Sequence, residues 1–379
     1  MSHLLLATVE NPHDPKSWSG TAFHLREALE GSFERVTVLS NPVPRKHPLD
    51  SAIRLLAGRD RYPLWMTRHA LHGYAAALRR AIAQHRPDAV LCLSSQHLAL
   101  LGPCEVPTFM VSDAPWMAYK DAYAAYDPRP WRAKAFARLE AQAARHTRAV
   151  IYPSPWACRE AQERFALPAS RVVLAPFGAN RHCERNDLEV SGMIERRLNG
   201  PVRLLFVGKD WERKGGPLAL ATVRALRGQG VDARLTIVGC RPPLEPGEKR
   251  YVDVLGFLSA ADPAQARLLE RAFIKSDLFI LPSKAECYGL VFAEAQSYGL
   301  PCVALNVHGV PGVVESGITG LLFEPGEAAH TLASAIRALA LDPLRYRTMA
   351  RSARLRFRRE LNWQAFGIRV HTVVTQASA

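Results

Sequence analysis

Short, almost uninterrupted apolar runs recur along the chain, and each is followed by a stretch with helical periodicity. In the first half they are 3-HLLLATV-9, 35-RVTVLS-40, 88-DAVLCLS-94, 107-PTFMVS-112 and 149-AVIYPS-154. In the second half they are 202-VRLLFVG-208, 234-RLTIVG-239, 252-VDVLGF-257, 277-DLFILPS-283 and 302-CVALNV-307. A run of about five apolar residues is what a strand buried on both faces requires. Alternation with helical stretches such as 217-PLALATVRALRGQG-230 predicts an α/β protein with doubly wound parallel sheets. A chain of 379 residues exceeds one ordinary core, so two domains are expected. The polar, Gly- and Asn-containing stretch 176-PFGANRHCERNDLEVSGMIERRLNGP-201 carries no strand pattern and marks the boundary. Two Rossmann-like domains facing a cleft would bind ligand beyond the carboxyl ends of their strands.

Hydrophobic residues make up 48% and charged residues 22%, which excludes a disordered chain. With 49 Lys and Arg against 35 Asp and Glu, the formal net charge is +14, a surface that attracts anions. The arginine-rich stretches 129-RPWRAKAFARLEAQAARHTR-148 and 345-RYRTMARSARLRFRR-359 read either as solvated helix faces or as an anion-binding surface. The seven cysteines (92, 104, 158, 183, 240, 287 and 302) are scattered and never spaced C-x-x-C, which fits reduced thiols rather than a disulfide framework or a zinc site. The first residues lack the basic start of a secretion signal, and no window reaches the roughly 18 apolar residues of a spanning helix. The expectation is a cytoplasmic protein, peripheral to a membrane at most.

Two loops carry candidate chemistry. In 202-VRLLFVGKDWERKGG-216 a strand runs into a loop with Lys209, Lys214 and a Gly-Gly pair before a helix. Lysines there could neutralise a diphosphate, or could simply be exposed loop residues. Neither G-x-x-x-x-G-K-[ST] nor G-x-G-x-x-G is present, which counts against ATP and NAD. In 285-AECYGLVFAEA-295, Glu286 lies in a loop after a strand, Glu294 lies inside the next helix, and the amides of Tyr288, Gly289 and Leu290 lie at that helix's N-terminus. Gly289 lets an anion approach the backbone closely. A diphosphate at these amides leaves each carboxylate to accept hydrogen bonds from hydroxyls on either side. An acid/base pair on a glycosidic bond is the other reading of the two carboxylates.

The segment 285-AECYGLVFAEAQSYGLPCVA-304 resembles the E-x7-E signature of retaining nucleotide-sugar glycosyltransferases of the GT-B fold, family 4. The preceding 207-VGKDWERKGG-216 is similar to the family's basic loop, with Lys209 where Arg is usual and Lys-Gly following. A lysine keeps the charge and loses the bidentate fork. Further on, 308-HGVPGVVESGITGLLFEPG-326 resembles the family's Gly-Gly-Val-Pro-Glu segment and its Gly-Leu-Leu turn, with His308 for the first Gly and Gly312 for the Glu. In the first half, 17-SWSGTAFHLREALE-30 looks like the family's glycine loop at the donor phosphate, placing Gly20 at the site; an ordinary capped helix is the plain alternative. Asp113, in 111-VSDAPW-116, stands where relatives carry a His near the reacting sugar, and could also just cap its turn. The stretch 151-IYPSPWACREAQERFALPASRVVLAPFGAN-180 matches the family's scaffold leading to the hinge, with Trp156 as packing.

The resemblance implies an acceptor-side domain over 1–185, a nucleotide-sugar domain over 186–358, and a terminal helix at 359–379 crossing back to the first. It implies transfer of a sugar from a nucleoside diphosphate sugar to a hydroxyl of a saccharide or lipid-linked acceptor, in cell-surface polysaccharide or glycolipid synthesis. Lys209, Lys214, Glu286 and Asp113 would be the catalytic set. Gly20, Tyr288, Gly289, Leu290 and Glu294 would hold the donor, the base lying near 256-GFLSAADP-263. No cofactor or metal is implied, and no nucleic-acid partner. The basic helices with Trp65, Trp116 and Trp131 suggest an acceptor at an anionic membrane surface. The alternatives are a GT-B epimerase or phosphorylase, a nucleotide-binding scaffold without catalysis, and a nucleic-acid binder suggested by charge alone. UDP and GDP are not distinguished.

Overall fold

The computed structural model describes residues 2–40, 67–123, 130–259 and 262–378, together with the isolated positions 48, 52, 55 and 65. Two compact units result, one comprising 1–180 with 363–379 and the other 181–362. The division thus falls between Asn180 and Arg181, against an expected 185/186, and the chain returns to the first unit at Trp363.

The first unit holds a six-stranded sheet of β1 (His3–Thr8), β2 (Arg35–Ser40), β3 (Ala89–Leu93), β4 (Thr108–Val111), β5 (Ala149–Tyr152) and β6 (Val172–Leu174), in the order β2-β1-β3-β4-β5-β6. Every pair in it is parallel. Strands β3, β4 and β5 are buried throughout, as their unbroken apolar runs require. Helix Trp363–Ser378 packs on helix Thr21–Glu30, and Gly367 makes this possible: a Cβ there would lie 2.5 Å from the Ala28 carbonyl oxygen.

The second unit repeats the plan with β7 (Val202–Val207), β8 (Ala233–Val238), β9 (Val252–Gly256), β10 (Leu278–Leu281), β11 (Cys302–Leu305) and β12 (Gly320–Phe323). Their order is β12-β11-β10-β7-β8-β9, again all parallel. The Gly-Leu-Leu segment expected to turn is therefore the edge strand β12. It is short and lies only partly buried, so its apolar run is too brief to read as a strand.

The arginines of 345–359 correct a second expectation, because two of them are neither solvated nor available to a ligand. Arg354, 6% exposed, donates to the carbonyls of Ser297 and Arg185 and pairs with Asp187 at 2.9 Å. Arg356 donates to the carbonyls of Gly312 and Val313. Trp116 and Trp65 are likewise not surface anchors. Trp116 belongs to a core cluster with Tyr74 and Phe136, and the partly buried Trp65 packs against it.

Within the second unit one close approach sets the rest. Gly215 has φ +74, and a Cβ there would lie 1.8 Å from the Pro282 carbonyl oxygen. Gly215→Ala should therefore cost about 3 kcal/mol or more in urea unfolding, whereas Gly228→Ala, with nothing within 4 Å of the added carbon, should be neutral or slightly stabilising. Equal stability of the two variants would remove this contact from the account.

Candidate active site

In the second sheet the chain runs from β7 outward through β8 to β9, then crosses back to β10 beside β7 and continues to β11 and β12 on the other side. The loops after β7 and β10 thus leave neighbouring strands in opposite directions, which opens a crevice at their carboxyl ends. These are the two loops that the sequence singles out.

Lys214 ends the first loop. Its stem lies over Gly208, where a Cβ would meet Lys214 Cγ at 3.1 Å, and its Nζ pairs with Glu286 Oε1. Glu286 is 5% exposed, so the pair is largely removed from water. The loops are stitched by Lys284 N–H donating to the Arg213 carbonyl at 2.8 Å and by Arg213 Nη1 donating to the Ala285 carbonyl at 3.2 Å. The Glu286 carbonyl accepts from Gly309 N–H at 3.0 Å, which fixes the acid against the loop after β11. There His308 takes φ +44, the left-handed conformation that a glycine accommodates more readily. Lys209 lies on the β9 side, its Nζ 5.0 Å from the centre of the exposed Phe257 ring.

Helix Leu290–Ser297 starts at Gly289, which has φ +89 and no side-chain cap. A Cβ at Gly289 would lie 2.6 Å from the Phe292 ring, so packing as well as ligand approach accounts for glycine here. The Tyr288 side chain is buried. The far end of the helix is held by buried cations. Arg197 donates to the carbonyls of Tyr298 at 2.8 Å and Gly299 at 2.6 Å, and Arg354 to that of Ser297. Positive charge at the C-terminus stabilises the helix dipole and leaves its positive end turned to the loop.

Glu294 lies within helix Leu290–Ser297, past the loop that carries Glu286. Loss of hydration pushes its carboxyl up to about 7, opposed by the Arg181 charge and backbone N–H.

In the first unit, Gly20 has φ +92 and precedes helix Thr21–Glu30, after two left-handed non-glycine residues, Trp18 at φ 44 and Ser19 at φ 57. Asp113 caps its own turn, its Oδ1 accepting from Ala114 N–H at 3.0 Å. Beneath it lies an acid the sequence did not flag. Glu140 is 4% exposed, and both its oxygens receive the Trp116 N–H, at 3.2 and 3.0 Å. Burial pushes its carboxyl up to about 8, with the Asp113 charge adding to the rise. A lone Glu in an arginine-rich helix gave no signal of this. Among the described residues no cluster of His, Cys, Asp or Glu could hold a metal ion, and no helix is long and apolar enough to cross a membrane.

Two doubly wound units with these loops define the GT-B architecture. The chain matches the family described as Glycosyl transferases group 1 over residues 201–342 and the Glycosyl transferase 4-like domain over 21–178. It belongs to the group 1 glycosyltransferases. It is 34% identical over 223 residues to the glycogen synthase of Mycobacterium tuberculosis, covering 55% of this chain and 53% of that one. The chain spans about half the length of the curated relatives it matches. Its fold resembles sucrose-phosphate synthase from Thermosynechococcus elongatus, with a TM-score of 0.68 at 19% identity over 99% of both chains. It also resembles Anabaena HepE in complex with UDP, with a TM-score of 0.63 at 17% identity over 99% of this chain and 100% of that one.

The Glu294 carboxyl makes a signed prediction. Its folded value lies above the ordinary carboxyl value, so the neutral form is the one folding favours. The stability this gives is present at low pH and is lost as pH rises from about 4.5 to about 7. Glu294→Gln should flatten that part of the stability–pH curve, by at most about 3 kcal/mol, as read by urea unfolding at pH 5 and pH 8. An unchanged curve would contradict the shift.

Proposed function

We propose that the protein is a retaining glycosyltransferase that moves a sugar from a nucleoside diphosphate sugar to a hydroxyl of a saccharide or lipid-linked acceptor, in cell-surface polysaccharide or glycolipid synthesis. The observation that carries this reading is the Lys214–Glu286 pair at the switch point, beside the helix N-terminus at Gly289. Membership of the group 1 family supports it, and HepE, with which the fold is shared, binds UDP.

In this reading the bond from the anomeric carbon to the diphosphate oxygen breaks, and a bond to the acceptor oxygen forms on the same face. The acceptor's proton passes to the departing phosphate oxygen. Lys209, Lys214 and the amides of Gly289 and Leu290 neutralise the charge that develops on the diphosphate. Glu286 accepts a hydrogen bond from the donor sugar and Glu294 from the ribose. Asp113 accepts a sugar hydroxyl or steadies positive charge at the anomeric carbon. The neutralising role falls to lysines and amides, and no metal is assigned one.

Lys214→Met should lower kcat/KM for donor about 10²–10³-fold, with much of the loss in kcat. A loss confined to KM would make Lys214 a binding residue only. A thermal-shift panel of nucleoside diphosphates identifies the base, and stabilisation by none of them would sink the reading.

The surface reading narrows to one aromatic. Trp131 is 60% exposed at the start of helix Pro130–His146, alongside the exposed Lys134, Arg138 and Arg145. We assign this face to an anionic membrane surface bearing the acceptor. Sedimentation with phosphatidylcholine vesicles should increase when phosphatidylglycerol is added and fall for Trp131→Ser. Equal sedimentation with both vesicles would overturn the assignment.

A further inference from the structure

A cavity of about 510 Å³ opens within the first unit at the amino ends of β4 and β5, which are parallel neighbours. Its walls are the approach to β4 at 104–108, the turn from helix Pro130–His146 into β5 at 145–148, and Arg171 just before β6. The volume lies in the range of small-molecule sites. Asp113 lies past the other end of β4, five residues beyond Thr108 and roughly 16 Å along an extended strand. An occupant of the cavity is therefore remote from the strand ends to which sugar transfer is assigned.

The charge here is one-sided. Arg145, His146, Arg148 and Arg171 line the cavity, against Glu105 as its one acid among the described residues. Basic groups near the C-terminus of a helix ordinarily answer its free carbonyls. Those carbonyls are already met by two other partners. Thr147 Oγ1 donates to the Ala144 carbonyl at 2.8 Å. Arg171 Nη2 faces the carbonyls of Ala144 at 3.1 Å, Arg145 at 2.8 Å and Thr147. Arg145 reaches only the Phe165 carbonyl, at 3.4 Å. The exposed side chains of His146 and Arg148 make no hydrogen bond or ion pair with a described residue. The Arg148 backbone is nevertheless pinned to the opposite wall, its N–H donating to the Thr108 carbonyl at 2.8 Å. By contrast, the nearby Arg164 is matched by Asp121 at 2.9 Å and Glu160 at 2.6 Å. Basic groups gathered on one cavity without acids repel one another, and an anion between them reverses the sign of that interaction.

We propose that this cavity is a binding site for a phosphomonoester dianion, separate from the transfer site. The guanidinium groups arrive from two segments, 145–148 and 171, so donors approach from different directions. The three terminal oxygens of a phosphomonoester accept from all of them, whereas a planar carboxylate suits a single fork. The phosphate is carried either by a small soluble metabolite or by the headgroup of a lipid in the surface assigned to helix Pro130–His146, which shares Arg145 with the cavity. The inference does not rest on the transfer reaction.

The test uses the full-length chain. Glycerol 3-phosphate is the soluble monoester. Phosphatidylcholine vesicles carrying phosphatidic acid present the lipid monoester, and vesicles carrying phosphatidylglycerol present a diester. Arg148→Gln removes one cavity charge from an exposed side chain and keeps the backbone contact to Thr108. Arg337→Gln removes one exposed charge from the second unit, and Lys214→Met removes the cation of the candidate active site. In calorimetry, glycerol 3-phosphate should bind wild type, Arg337→Gln and Lys214→Met alike and Arg148→Gln about tenfold more weakly. If the phosphate belongs to a lipid, the soluble monoester gives no heat. Wild type and Arg337→Gln then sediment better with phosphatidic acid than with phosphatidylglycerol, and Arg148→Gln loses that preference; this outcome also supports the site. Neither soluble binding nor a preference for phosphatidic acid overturns it. So does equal weakening by Arg148→Gln and Arg337→Gln, which would reduce the effect to bulk charge. Binding lost in Lys214→Met and kept in Arg148→Gln overturns it as well, by returning the phosphate to the second unit's loops.

Discussion

The second unit depends on one close approach of backbone to backbone. Gly215 lies where any side chain would collide with the Pro282 carbonyl, so the loop leaving β7 can settle against the end of β10. That seating brings Lys214 to Glu286, although the two are far apart in sequence. Gly216 contributes in the same way, since a Cβ there would lie 2.0 Å from the Trp211 ring. The Gly-Gly pair is thus first a packing device. Its effect on phosphate chemistry comes through the position it gives the lysine.

Charge is distributed with the same economy. A net charge of +14 suggests a cationic coat, yet several of the arginines are spent inside. Arg197 and Arg354 are buried against the carbonyl end of helix Leu290–Ser297. Cations at that end leave the amide end as the electropositive pole, where the loop carrying Glu286 and Gly289 meets it. Sequence charge alone could not separate these structural arginines from the exposed ones on helix Pro130–His146, because the difference is burial.

The strands were legible because parallel strands buried on both faces print continuous apolar runs, and β3, β5, β7 and β10 did so. The brief edge strand β12 did not. The loops of the second unit were legible because their lysines, glycines and acids sit close to strand ends. What stayed hidden depends on long-range geometry. Glu140 reads as one acid in a basic helix until the fold places it under the Trp116 N–H. Asn180 reads as the end of a scaffold stretch until Ser19 and Trp363 are brought to it. Trp65 and Trp116 read as surface aromatics because composition near arginines says nothing about which face of a helix is covered.

The two carboxylates of 285-AECYGLVFAEA-295 are the feature on which the chemistry divides. If they were an acid and a base, a water activated opposite the leaving group would give inversion. In the present account Glu286 is engaged by Lys214, and the proton goes to the departing phosphate, so attack comes from the face of departure. The direct measurement is proton NMR of the first sugar released when the protein hydrolyses an α-configured nucleoside diphosphate sugar, recorded before mutarotation. The account predicts the α-anomer. The β-anomer as first product would contradict it and return the pair to acid/base catalysis.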